Sequence, residues 1–384
     1  MRVLILGGRA PVALDHARRF AAQGWTTYIA DSVSCRISGW SRSVAATFSL
    51  PPPRHALAAF ASELAEIVTR ERIELIVPTC EEVFYLSRVR HRLPSLCNVF
   101  VAPFEQLRHL HSKWGFLALA KEAGVRVPES IWTTDLAQTR DWANGRPIVL
   151  KPEFSRFGVH VRIYRDGLPE HTDPLPPRGP WVAQLFEAGR EMCSYSVAIS
   201  GRVYAHVTYA PQYRLRGSSS YYFEPLHIPA IQSSVERLVE RIGFTGQISF
   251  DWIERPDGEF VALECNPRAI SGLHLFDIGQ PLPAAIAGEL TAPMVMNSTT
   301  PRMLGVIMLA AGLPDALRSG TFDRWHKDWS RATDVLIAPA DAGPAFGAAR
   351  DVIAFARLAL RYRCSLRAAT TQDIEWDGEP LYVS

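Results

Sequence analysis

Two acidic residues stand at a spacing that suits a site for a cation. Asp251 and Glu264 flank Asp257-Gly258, a dipeptide typical of the tip of a two-stranded hairpin. Pairing about that tip places Asp251 directly opposite Glu264, and it also pairs Ile253 with Ala262. Side chains opposed in this way have Cβ atoms about 5 Å apart. Two such carboxylates repel each other unless a cation or a shared proton lies between them.

Asn266 adds an amide oxygen to this pair. It lies two residues after Glu264, so in a strand it points to the same face. An all-oxygen set of this kind suits Mg²⁺ bound together with phosphates. The alternative is a solvated hairpin whose acids face water, but the neighbouring Phe250 and Trp252 indicate a buried setting. The hairpin therefore predicts a metal site made by Asp251, Glu264 and Asn266.

Lysine is unusually rare, because only four of the 41 basic residues are lysine. Lys113 falls near the start of a predicted helix, and Lys151 directly follows the apolar strand 148–150. A compact ammonium on a buried strand end suits a phosphate oxygen. The alternative is a compositional bias of the gene, with each lysine retained by chance. Lys121 and Lys327 match no pattern and are predicted to lie on the surface.

The elements that must position these residues change character along the chain. An apolar run at 2–7 ends at Gly7-Gly8 and is followed by a helical pattern, and this alternation continues to about residue 103. It predicts an α/β layer with a parallel sheet. The glycine turn lacks the spacing of a dinucleotide fingerprint. Beyond residue 130, short strands and hairpins predict an α+β region.

Composition limits the classes of function. The net charge of +2 gives no footprint for nucleic acid or an anionic membrane. The six cysteines show no metal or redox spacing, and no apolar run is long enough for a membrane span. We therefore expect a cytoplasmic protein with small-molecule partners.

The run from Glu264 to Arg268 (Glu-Cys-Asn-Pro-Arg), with Asp251 upstream, resembles the metal-binding end of the ATP-grasp superfamily. Its closest likeness is to carbamoyl-phosphate-synthase-like and D-alanine–D-alanine-ligase-like members, over about residues 1–290. The resemblance implies a Rossmann-like pre-ATP-grasp domain followed by the two-lobed ATP-grasp fold. We place the domains at 1–105, 106–185 (small lobe), 186–300 (large lobe) and 301–384 (C-terminal extension).

The same resemblance implies ATP and two Mg²⁺ ions, which Mn²⁺ can replace. It gives Arg268 and Lys151 catalytic roles, with Arg268 contacting the transferred phosphate or the carboxylate substrate. The loop 155–159 corresponds to the family's glycine-rich loop, although it holds one glycine where two or three are usual. The implied nucleotide-binding residues are Lys113 and Lys151 on phosphates, Ser155 and Gly158 in the loop, Gln184, Leu185 and Phe186 beside adenine, and Glu191 on the ribose.

These features predict a ligase that activates a carboxylate, such as an amino acid, as an acyl phosphate and couples it to an amine. A carboxylase or carbamoyl-phosphate-type enzyme is one alternative, and a non-catalytic ATP-binding module is another. Residues 301–384 resemble nothing recognisable, so substrate choice and homodimer formation are hypotheses for this region. A Walker-type ATPase is excluded because the sequence has no Gly-Lys pair.

Overall fold

The computed structural model describes residues 1–34, 36–155, 160–176, 179–215, 219–296 and 298–382. Within these ranges three sheets carry the architecture, and the predicted mixture of α/β and α+β structure is confirmed. Among the described helices, none is long and apolar enough to cross a membrane.

The first sheet is parallel and has the strand order β3-β2-β1-β4-β5. Gly7 lies directly after β1 with a φ of +78°, which lets the chain turn towards α1, and Pro11 occupies the first turn of that helix. The predicted alternation of strands and helices is therefore confirmed. Its elements are β1 (Arg2–Leu6), α1 (Pro11–Ala22), β2 (Thr26–Asp31), β3 (Ala46–Ser49), α2 (Leu57–Glu71), β4 (Leu75–Val77), α3 (Glu82–Val89) and β5 (Asn98–Val99).

The second sheet is antiparallel, with the order β6-β9-β7-β8. Two consecutive helices precede it, and Ser112 ends the first and caps the second by accepting the Gly115 N–H. The sequence prediction had only the second helix. The elements are α4 (Phe104–His111), α5 (Lys113–Glu122), β6 (Ser130–Thr133), α6 (Leu136–Ala143), β7 (Ile148–Pro152), β8 (Arg162–Tyr164) and β9 (Trp181–Leu185).

The third sheet has seven strands in the order β14-β13-β10-β11-β12-β15-β16. One face of β13 and β14 packs against α5, where Phe250 and Trp252 share a buried cluster with Phe116. The elements up to residue 300 are β10 (Arg190–Ile199), β11 (Arg202–Arg214), β12 (Ser220–Leu226), α7 (Pro229–Ile242), β13 (Gly246–Glu254), β14 (Phe260–Asn266) and α8 (Leu282–Ala287).

The region after residue 300 joins both large layers. β15 and β16 extend the third sheet, whereas residues 370–381, called here the C-terminal segment, return to the first sheet. Trp325 and Trp329 stack on one face of α11, as their spacing predicts. The elements are β15 (Arg302–Met303), α9 (Gly305–Ile307), α10 (Leu313–Ser319), α11 (Phe322–Arg331), β16 (Thr333–Asp334), α12 (Gly343–Tyr362) and α13 (Leu366–Ala369). The domain boundaries at 105, 185 and 300 stay predictions.

Candidate active site

The hairpin of β13 and β14 places Asp251 opposite Glu264, as the sequence predicts. The pairing nearer the tip is different, because Ile253 faces Val261 and not Ala262. The loop has three residues, closed by the Arg255 N–H donating to the Glu259 carbonyl, which moves the register by one. A bulge between Asp251 and Trp252 then restores the predicted register at the acidic pair.

The acidic pair is partly buried and asymmetric in charge. Burial, followed by the neighbouring Glu264 carboxylate, raises the pKa of Asp251 to about 7. Burial also works to raise the pKa of Glu264, but Lys113 and Lys151 outweigh it and lower that pKa. Glu264 is therefore the ionised member, and Asp251 holds a proton below about pH 7 when no cation is present. A divalent cation between them would replace that proton.

The two predicted lysines lie close in structure because α5 begins where β7 ends. The Lys113 backbone N–H donates to the Glu153 carbonyl at 3.1 Å, two residues beyond Lys151. The Lys113 Nζ donates to the Ser155 carbonyl at 2.7 Å. The start of α5 and the end of β7 therefore place two ammonium groups near Ser155, where the predicted phosphate loop begins.

Both lysines are buried, with only 4% of Lys113 and 7% of Lys151 exposed. Burial lowers the pKa of each ammonium, and the Glu264 carboxylate is the strongest influence that opposes this lowering. Buried lysine is rare unless it is paired. Two buried cations and two carboxylates therefore form one electrostatic cluster, which suits a polyanion bound with divalent metal ions.

Arg268 follows β14 and contacts Asn266, the third predicted metal ligand. Its Nη2 donates to the Asn266 side-chain oxygen at 3.0 Å, and its Nε lies 3.8 Å from the Glu81 carboxylate. The structure therefore places Arg268 beside one of the three predicted metal ligands. The Asn266 oxygen carries a second lone pair, which leaves it able to face a cation as well.

The predicted adenine segment lies at the end of β9. Gln184 is buried between Ser130 on β6 and Val149 on β7. The backbone N–H groups of Leu185 and Phe186 donate to the carbonyls of Glu129 and Pro147, each at 2.9 Å. These two amides are therefore engaged within the protein and are not available to adenine.

Comparison with known proteins gives a match in structure but not in sequence. No protein-family model and no curated protein matches the chain. The structure is similar to the N5-carboxyaminoimidazole synthetase of Staphylococcus aureus, with a TM-score of 0.59 and 13% identity over 78% of this chain and 80% of that one. The biotin carboxylase domain of the Hydrogenobacter thermophilus 2-oxoglutarate carboxylase gives 0.61 and 15%, over 78% and 73%. The L-amino acid ligase of Bacillus licheniformis gives 0.56 and 14%, over 78% of each chain.

This chain has the ATP-grasp fold. Among these neighbours, the Staphylococcus synthetase has also been crystallised with ADP, and the carboxylase domain forms a dimer that holds MgADP, ADP and bicarbonate. At identities this low, the structural similarity shows the fold alone, so the assignment of ligands and substrates rests on the residues of this chain.

Two buried polar atoms test whether ATP suits this candidate site. The Gln184 Nε2 and the Ser155 Oγ have no hydrogen-bond partner among the described residues. Buried donors without partners are costly, so such atoms favour a ligand that supplies acceptors. Adenine nitrogens and phosphate oxygens are acceptors of this kind, so the residues present fit ATP.

Two predicted nucleotide-binding residues remain, Glu191 and Gly158. Glu191 on β10 is exposed and forms an ion pair with Arg214 on β11, so binding a ribose would require sharing that carboxylate. Gly158 lies outside the described residues, as does the rest of the loop from 156 to 159.

Two further residues of the candidate site are not predicted by the sequence. The Cys193 thiol on β10 donates to Asp251 at 3.2 Å, and burial raises the pKa of that thiol, which keeps the donor proton in place. Glu81 approaches Arg268 from the turn after β4. Neither has a local signature, since Cys193 is a single cysteine and Glu81 comes from a turn far from β14 in the sequence. The position of Glu81 after a strand of a parallel sheet was the one available signal.

Proposed function

We propose that this protein is an ADP-forming ligase that activates a carboxylate as an acyl phosphate and couples it to an amine. The observation that carries the proposal is the cluster of Asp251 and Glu264 with two buried lysines. The two carboxylates suit a cation, the two lysines suit a polyanion, and the four charges interact with one another. ATP with Mg²⁺ matches both halves of this unit.

Each side chain then has a defined task. Asp251, Glu264 and Asn266 would hold Mg²⁺, which draws charge from the phosphates of bound ATP. Lys113 and Lys151 would bind phosphate oxygens from the opposite side. Holding the γ-phosphate and the acid in line supplies most of the catalysis in reactions of this type.

The bonds change in two steps. A carboxylate oxygen of the substrate bonds to the γ-phosphorus while the bond to the bridging oxygen of ADP breaks. An amine nitrogen then bonds to the acyl carbon, phosphate leaves, and the nitrogen loses a proton. Arg268 would neutralise the charge that develops where phosphate and carboxylate meet, a contribution of about 3 kcal/mol for a well-placed donor.

The proposal is tested by measuring ADP release with a panel of carboxylic acids, including amino acids and bicarbonate, crossed with amines. We expect release that requires both an acid and an amine and that Asp251→Asn abolishes. With the active acid labelled by ¹⁸O in its carboxylate, one label should appear in the released phosphate. Release with bicarbonate would instead indicate a carboxylase, and tight ATP binding without turnover would indicate a non-catalytic module.

A further inference from the structure

Glu81 is a fully buried carboxylate between two distant parts of the chain. One of its oxygens lies 3.8 Å from the Nε of Arg268, and the other accepts the backbone N–H of Trp376 at 3.3 Å. A carboxylate removed from water is stable only where cations and donors meet it. One of its oxygens is therefore met by Arg268 and the other by the C-terminal segment, and its charge also stabilises the Lys113 ammonium.

Arg268 depends on Glu81 for its direction. Its other hydrogen bonds go to the Asn266 side chain at 3.0 Å and the Ala269 carbonyl at 3.3 Å, both within two residues. Such near partners restrict a long side chain only weakly. Among the described residues, Glu81 is the partner that comes from another element, at an ion-pair distance of 3.8 Å.

The Trp376 amide is held firmly. The Trp376 indole is buried, and its ring centroid lies 5.0 Å from Phe84, 5.4 Å from Phe104 and 5.2 Å from Phe154. Its Nε1 donates to the Glu379 carbonyl at 2.7 Å. Aromatic contacts of this geometry add to the free energy of burial, so the amide beside Glu81 has little freedom.

Ion pairs fix the C-terminal segment on both sides of Trp376. Arg9 binds Asp373 at 2.7 Å, in a site where both partners are largely buried. Arg54 binds Asp377 at 2.9 Å on the other side. The segment is thus fastened to the first sheet before and after the residue that contacts Glu81.

We propose that Glu81 is a positioning residue that orients Arg268, and that the C-terminal segment holds Glu81 in place through the Trp376 N–H. The proposal rests on the proposed role of Arg268 in ligation. Without the Glu81 charge, the guanidinium is free to turn towards the carboxylates of the metal site. ATP then still binds, but the donor no longer lies where phosphate and carboxylate meet.

The test compares Glu81→Gln with Glu82→Gln. Glu82 is an equally matched control because it is buried in the same turn but accepts the N–H groups of Thr79 and Cys80. We expect Glu81→Gln to lower kcat roughly tenfold or more while the Kd of MgADP changes less than about threefold. Glu82→Gln should keep kcat. Equal loss of kcat in both variants would overturn the proposal, since the loss would then reflect the turn as a whole.

A crystal structure of Glu81→Gln supplies a readout that does not require the substrate. The Arg268 guanidinium should leave its place beside Asn266, and an unmoved guanidinium would overturn the proposal even if ligation is confirmed. Absence of ligation in the wild type, with a displaced Arg268 in the variant, would instead count against the proposed function alone.

The part played by the C-terminal segment is tested with Arg54→Ala, which releases Asp377. This variant should lower kcat less than Glu81→Gln does, and the double variant should lose no more than Glu81→Gln alone, because both act through one contact. If the losses of kcat in the two single variants add fully in the double variant, or if Arg54→Ala leaves kcat unchanged, the C-terminal segment does not act through Glu81.

Discussion

Replacing Asp251 by Asn should stabilise the metal-free protein at neutral and alkaline pH while abolishing ATP turnover. In the absence of a cation, the Asp251 carboxylate faces Glu264 across the hairpin. Asparagine keeps an oxygen that can accept the Cys193 thiol, and it carries no charge. The substitution therefore removes the repulsion and retains the hydrogen bond.

The magnitude follows from the pKa of Asp251, which burial and Glu264 raise from an ordinary 3.8 to about 7. Between these values the folded protein binds a proton that the unfolded chain has released, so stability falls as pH rises from about 4 to about 7. At about 1.4 kcal/mol per pH unit the limit is about 4 kcal/mol. Because the side chain is partly exposed to solvent, we expect about 2 kcal/mol.

Urea unfolding in EDTA at pH 4, 6 and 8 measures this difference for the wild type and Asp251→Asn. The two should be alike at pH 4, and the variant should be the more stable at pH 8. Asp257→Asn is the control, because Asp257 is an exposed carboxylate at the tip of the same hairpin and should leave the pH dependence unchanged. With MgADP the order should reverse, since the wild type gains more from binding than a variant that lacks one metal ligand. A variant that is less stable at pH 8 in EDTA would refute the reasoning and make Asp251 a structural residue.

Three further predictions concern other parts of the site. Lys151→Arg should weaken ATP binding about tenfold or more, because a wide fork replaces a compact donor in a buried position, whereas Lys121→Arg should change nothing in the same calorimetric titration. Equal effects would mean that the phosphate site lies elsewhere. Arg268→Lys keeps a charge opposite Glu81 but loses the planar guanidinium. The value of kcat should therefore fall about a hundredfold, with little change in ATP affinity. If kcat and ATP affinity fell by the same factor, Arg268 would have no part in the chemical step. Trp376→Ala should lower the free energy of unfolding by about 3–5 kcal/mol, and an unchanged urea midpoint would show that the C-terminal segment is not part of the core.

The acidic pair could be predicted from sequence because its information is local. The Asp257-Gly258 tip and the alternation of the strands were sufficient to oppose Asp251 and Glu264. The predicted register was wrong near the tip, because the loop has three residues. The bulge compensates for this shift, so the prediction is correct at the acidic pair. Neither device has a signature that single-residue patterns reveal, since the Ala262 N–H beside the bulge donates to the carbonyl of Arg126, which is distant in the sequence.

The arrangement around Arg268 could not be predicted for a different reason. Glu81 and Trp376 are 295 residues apart, and their contact depends on how three sheets meet. Periodicity and turn chemistry describe neighbours within about ten residues, so they carry no information about such a contact. The same limit applies to the engaged amides of Leu185 and Phe186, whose partners belong to other strands and loops.

The return of the C-terminal segment to the first sheet has a consequence for the order in which the protein folds during synthesis. Arg9 leaves the ribosome 364 residues before its partner Asp373. Until then the slot that Trp376 fills beside Phe84 stays open and presents apolar surface to water. Contacts of such separation slow folding and prolong the exposure of apolar surface to other chains. The first sheet is therefore synthesised before the other two sheets but is among the last parts to be completed, and a nascent chain paused before residue 373 should need a chaperone more than the full chain does.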